Sequence, residues 1–115
     1  MALTSEAIDR LKKDRDDALT NMNFALAAEK IITLRWKSSK KKFTLVPAVV
    51  PEGFNLIHHT TYFREFENYL VLEGSTQVED ETSDNGDTKT IYVVQVFPKT
   101  ESTNPISNCG FEVVF

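Results

Sequence analysis

Residues 5 to 30 contain neither glycine nor proline, and their apolar side chains recur at helical spacing. Ile8, Leu11, Ala18, Leu19, Met22, Ala25 and Leu26 are separated mostly by three, four or seven positions, which lines them along one helical face. Thr4 or Ser5 can cap this segment, and Glu6 and Asp9 fall in or near the first turn, where the helix dipole favours negative charge. Glu6–Arg10 and Asp9–Lys13 are spaced i, i+4 with the acid first, the better orientation. The pattern predicts one long N-terminal helix. About 26 residues at about 1.5 Å each make a rod of roughly 39 Å. A domain of about 100 residues has a radius of gyration near 13 Å, so the rod is expected to reach past the body it covers. Its first half supports this, because Leu11 is the one apolar residue between Asp9 and Asp17.

Past Lys30 the period changes. Ile32, Leu34 and Trp36 alternate with Thr33, Arg35 and Lys37, the two-residue repeat of a half-buried strand, although continuation of the helix through Trp36 is the competing reading. A turn at Ser38–Lys41 then leads to a strand over Phe43–Val50, which Pro47 restricts to a sheet edge or a bulge. Residues 54 to 67 favour a short helix or irregular turn capped by Thr60 or Thr61, with a strand from Tyr69. The Asn85-Gly86 pair suits a two-residue type I′ hairpin, which sets Asp84 opposite Asp87, Val78 opposite Val93 and Thr76 opposite Gln95. The return strand, Thr90 to Phe97, is apolar on both faces over Ile91–Val94 and should be central. Lys99 to Asn108 reads as a polar loop and Gly110–Phe115 as a last strand. The fold class predicted is α+β: a long N-terminal helix, then a mostly antiparallel sheet of four to five strands. Its hairpins lie around residues 31–50 and 69–97 and its C-terminal strand at 110–115. One domain is expected, with a helical segment over 1–30 and a β-rich part over 31–115.

Composition narrows the function classes. The chain has 115 residues, 41% of them hydrophobic and 26% charged, which fits one globular domain and excludes a disordered or collagen-like chain. A single cysteine, Cys109, forbids an intrachain disulfide. The net charge of −4 argues against nucleic acid as the main partner. The first residues, Met1 to Glu6, lead into a charged stretch without the apolar core of a signal peptide. The longest apolar run in the first half, Phe24–Ala28, is far short of a membrane span, so cytoplasmic residence is expected.

No cluster carries catalytic or metal-binding specificity. His58 and His59 are adjacent, so in a strand they would face opposite ways and could not chelate one ion. Cys109, Asn108 and a histidine make a nucleophile set only on paper, and Cys109 beside Gly110 is better read as a small packing residue. Glu79, Asp80, Glu81, Asp84 and Asp87 suggest a calcium loop, but counting from Asp80 puts Asn85 at the sixth place and Ile91 at the twelfth, where Gly and Glu are required. That tip reads as a solvated turn. Arg35, Lys37, Lys40, Lys41 and Lys42, flanked by Trp36 and Phe43, form the opposite patch; it suits a docking surface better than a phosphate backbone. No metal and no cofactor are expected.

Two functions remain. The first is a non-enzymatic assembly protein that docks onto copies of itself or other protein subunits, as in a virion or another large particle. Its contacts would come from the helix face, Ile8, Leu11, Leu19, Met22 and Leu26. The charged tips, Lys40, Lys41 and Lys42 on one side and Asp80 and Asp84 on the other, would add to them. The second is a small-ligand domain or enzyme with a pocket between helix and sheet, lined by His58, His59, Tyr62, Phe63, Phe66 and Tyr69.

Overall fold

Thr4 caps the first helix as its sequence predicts: its Oγ1 accepts from the Ala7 amide at 3.2 Å. This is seen in a computed structural model that describes residues 2–59, 61–100 and 104–115. Helix α1 spans Ser5–Thr20 and then stops. The expected rod is two helices, with α2 at Phe24–Arg35. The break lies in Asn21-Met22-Asn23. Asn23 N–H reaches back to the Ala18 carbonyl (2.8 Å) and Met22 N–H to the Leu19 carbonyl (3.1 Å). These paired closures end a helix at a left-handed residue. That residue is Met22, at φ 59°, a conformation that costs a non-glycine residue about 1 kcal/mol. Asn23 then caps α2, its Oδ1 accepting from Leu26 N–H at 3.4 Å. The Leu3 amide donates to the Lys37 carbonyl (2.9 Å), so the far ends of the two helices meet and the pair is an antiparallel hairpin.

Of the strand expected over residues 32–37, residues 32–35 are also helix and Trp36 and Lys37 are turn, close to the competing reading of a helix running on to Trp36. Ala27, Ala28, Ile31 and Ile32 are buried at i, i+4 spacing, so the 3.6-residue period outweighs a three-step alternation. The hairpin expected around 31–50 therefore does not form.

Five strands follow: β1 Thr44–Ala48, β2 Tyr62–Glu65, β3 Tyr69–Glu79, β4 Thr88–Pro98 and β5 Ser107–Val114. Their order across the sheet is β1-β5-β4-β3-β2. The β2–β3, β3–β4 and β4–β5 pairs are antiparallel. As predicted, the Pro47 strand is at an edge and the Ile91–Val94 strand lies inside the sheet. Where a short helix or irregular turn was expected before residue 68, Leu56–His58 is a 3₁₀ turn, but Tyr62–Glu65 is a strand, consistent with its aromatic pair. The Thr60 cap and part of the Lys99–Asn108 loop fall outside the described residues.

The β3–β4 register differs from the Asn-Gly expectation by four. Glu79 pairs with Thr88 and Thr76 with Ile91, and residues 80 to 87 form a longer loop. The expected register would have set the Asp80 carboxylate opposite Ile91, which is buried, and Asp84 beside Asp87. The observed one releases the acids to the loop. Because the difference is even, every side chain stays on its predicted face.

The chain divides into two compact units. One runs to Leu45 and takes in Val114–Phe115; the other is Val46–Val113. In the first, Ala18, Leu19, Ala27, Ala28, Ile31 and Ile32 are buried. The rings of Trp36, Phe43 and Phe115 cluster at centroid distances of 5.6 to 6.5 Å. In the second, Leu56, Leu72, Ile91, Val93 and Phe97 form a core against which Ala48, Val50, Phe54, Leu70 and Val78 pack. Leu72, Ile91, Val93 and Phe97 share one sheet face by register, and the segment around Leu56 covers it. Gln95 belongs to this face and is fully buried. It accepts from the Leu56 amide (2.8 Å) and donates to the Phe54 carbonyl (3.1 Å) and Asn108 Oδ1 (3.2 Å), pinning the covering segment to the sheet. On the other face Val71, Val94, Val96 and Phe111 are buried, which accounts for the apolar run on both sides of β4.

Candidate interaction surfaces

The helix face singled out by the sequence is only partly on the surface. Leu19 is 3% exposed and belongs to the interior. Ile8 and Leu11 are half-buried. Met22, held outward by the left-handed turn, is 64% exposed, and Leu26 is exposed beside it. A groove of about 280 Å³ runs along this end of the hairpin, lined by Asp14, Asp17, Ala18, Asn21, Asn23, Leu26 and Lys30. Lys13 closes on Asp17 at 2.9 Å on its solvent side, and that hydrogen bond raises the lysine pKa.

The basic tip is a built turn. Ser39 N–H donates to the Trp36 carbonyl (3.0 Å), and Ser39 Oγ both donates to the Lys41 carbonyl (2.9 Å) and accepts from its amide (3.3 Å). Lys40, Lys41 and Lys42 are all exposed on it.

The acidic tip is tied internally. Asp80 N–H donates to the Asp87 carbonyl (2.8 Å) at the mouth of the loop. Asp80 Oδ1 accepts from the Thr82 hydroxyl (2.7 Å) and amide (3.0 Å), and Ser83 Oγ donates to Asp87 Oδ2 (2.8 Å). The hydroxyl bond first, then the amide bond, hold the Asp80 carboxyl below its ordinary range. Asp84 is exposed at the tip. Gly86 takes the positive φ (72°) there, while Asn85 does not, so the turn is not type I′.

The residues of the pocket reading are not brought together. Tyr62 pairs with Glu73 and Phe63 with Leu72, so the two rings leave opposite faces of the sheet. His58 ends a 3₁₀ turn, and the His59 ring lies 4.7 Å from that of Phe54; both histidines are exposed. Asn108 shares its face with Gln95 and the Leu56 segment, whereas Cys109 pairs with Val94 and points the other way. Cys109 Sγ lies 3.4 Å from Ser107 Oγ instead. The sheet therefore separates this thiol from the side on which Asn108 lies. Among the described residues no group of three or more His, Cys, Asp or Glu side chains could hold a metal ion, and no helix is long and apolar enough to cross a membrane.

Sequence reasoning passed over one surface. Strand β2 ends the sheet, all four of its residues are exposed, and it carries Tyr62 at 66% and Phe63 at 70%. The available signal was the β propensity of Tyr62-Phe63 beside the alternating charges Arg64 and Glu65.

These elements define an α+β protein with a helical hairpin N-terminal to a five-stranded antiparallel sheet. Comparison of the chain with protein-family models, with curated proteins and with solved structures gives no match.

Proposed function

We propose that this chain is a non-enzymatic docking protein that associates with other copies of itself within a larger protein assembly. The observation that carries the reading is the display of large apolar side chains at sheet and helix margins. Tyr62 and Phe63 stand on the edge strand, and Met22 and Leu26 at the helical turn. Such groups on a surface are what protein interfaces are built from. Two loops of opposite sign add to this, with Lys40, Lys41 and Lys42 exposed on one and Asp84, exposed, and Asp80, half-buried, on the other. Charges so placed orient an encounter and set its register. The expected setting is the cytoplasm or a particle assembled there, virions included.

Sedimentation equilibrium tests the reading. A mass above that of one chain, rising with concentration, is expected. Reversal of Lys40, Lys41 and Lys42 to Glu is expected to weaken association at low salt and to remove most of its salt dependence. Monomer at every concentration would refute the reading.

A further inference from the structure

The two margins of the sheet are not equivalent. Strand β1 carries Pro47, which has no amide to offer a neighbour. Strand β2, Tyr62–Glu65, contains neither proline nor lysine and has no strand beyond it among the described residues. It is short and carries two charges, yet its outward N–H and C=O groups can still template another strand.

The phase of its backbone follows from one bond. Phe66 N–H donates to the Tyr69 carbonyl at 2.8 Å, closing the hairpin to β3. Residues alternate along a strand, so Arg64 and Tyr62 also direct their N–H and C=O groups inward to β3. Phe63 and Glu65, and Thr61 before them, direct theirs outward.

From this we infer that two copies of the chain pair through β2, antiparallel and about a two-fold axis at Phe63. The axis is perpendicular to the sheet, so faces are preserved and residues directly opposite must share parity. Two registers keep the strands overlapped. Centring on Arg64 sets two guanidinium groups face to face and leaves four backbone hydrogen bonds. Centring on Phe63 gives six, from Phe63 with its own symmetry mate and from Thr61 with Glu65 of the second copy, twice. The two Phe63 rings then meet on one face. On the other, Tyr62 lies opposite Arg64 of the second copy, again twice, in the closer class of antiparallel pair. A guanidinium over a phenol ring is an attractive cation–π contact, and the two-fold supplies it on both sides. The sequence Tyr-Phe-Arg-Glu is thus complementary to itself in this register, which singles out a second copy as the occupant. The contact is short and belongs to the weak class of interface, below about 1,200 Å².

This inference rests on the docking reading and names the place where two copies meet. The test uses the full chain with Cys109→Ser and adds Phe63→Cys. Opposed residues of an outward-bonded pair have Cα atoms about 5.5 Å apart, within disulfide range. Mild oxidation is expected to give a covalent dimer with Phe63→Cys and none with Val46→Cys on the β1 edge. In sedimentation, Phe63→Lys is expected to abolish dimerisation with an unchanged far-ultraviolet spectrum, since the side chain is exposed. Tyr62→Ala is expected to weaken dimerisation severalfold. Association that survives Phe63→Lys but falls with the Lys40/Lys41/Lys42 reversal overturns the strand pairing and leaves the docking reading standing. A wild-type monomer at every concentration overturns both.

Discussion

Replacing Gln95 with leucine should be among the most damaging single changes in the sheet unit, although leucine is close in volume and fully apolar. Gln95 is fully buried on the core face and makes three hydrogen bonds. Leucine would fill the space and remove the cost of burying an amide. It would also leave the Leu56 N–H without its acceptor, at a residue that is itself fully buried. An orphaned buried donor costs about 1–3 kcal/mol, and the Phe54 carbonyl loses a donor as well. Asn108 is exposed and can turn to water. The net expectation is a loss of about 2–3 kcal/mol. For a unit of about 60–100 residues each kcal/mol shifts the melting temperature by about 4–8 °C, so the variant should melt about 10–20 °C lower. Thermal unfolding followed by circular dichroism reads the shift. Amide exchange at Leu56, which should accelerate before the rest of the sheet, locates it. Asn108→Ala should cost less than about 1 kcal/mol by the same reasoning. A Gln95→Leu protein melting within about 3 °C of the parent would show that the covering segment does not depend on this side chain.

Met22→Gly should stabilise the helical hairpin by about 0.5–1 kcal/mol, because glycine adopts the left-handed turn without strain and little packing is lost; a lower melting temperature would refute this. Gly110→Ala should destabilise by about 1–3 kcal/mol in the same melting assay, since a Cβ there would lie 2.9 Å from the Ala48 carbonyl oxygen, a backbone atom that cannot rotate away. Asp80 has a depressed pKa in the folded loop, so its contribution is present above the unfolded carboxylate range and is lost as pH falls through the folded value. Carboxyl chemical shifts should therefore place its midpoint below 3.8, and Thr82→Ala should move it upward. Titration of Asp80 at its ordinary value in the parent would count against the loop geometry.

The sequence made most of the strands and the first helix legible because those elements rest on strong, local signals. Thr4 followed by a long apolar period, Pro47 within a β-branched run and the two-faced Ile91–Val94 run each admit few alternatives. The break at residues 21–23 was hidden because glycine and proline are the usual punctuation, whereas here a methionine in the left-handed region ends one helix and the Asn23 side chain caps the next. At Ile32–Trp36 three alternating residues imitate a strand, and only the burial of Ala27, Ala28, Ile31 and Ile32 reveals the helical period. The Asn-Gly pair is a strong turn signal, yet keeping Asp80 out of the core outweighed it. The β2 edge was the hardest feature to foresee. Its meaning lies in where the strand sits in the sheet, and strand order is set by pairings distant in the chain.

Pro47 has a consequence beyond its own strand. A ribbon that can recruit a neighbour at either side has no natural end, and open-ended growth of that kind is the route to fibres. Where one flank lacks a donor that the other retains, recruitment through backbone bonds is favoured at the second flank. In the proposed pairing, the imino ring at position 47 removes one donor from the far margin of the sheet, so growth beyond a pair is disfavoured there.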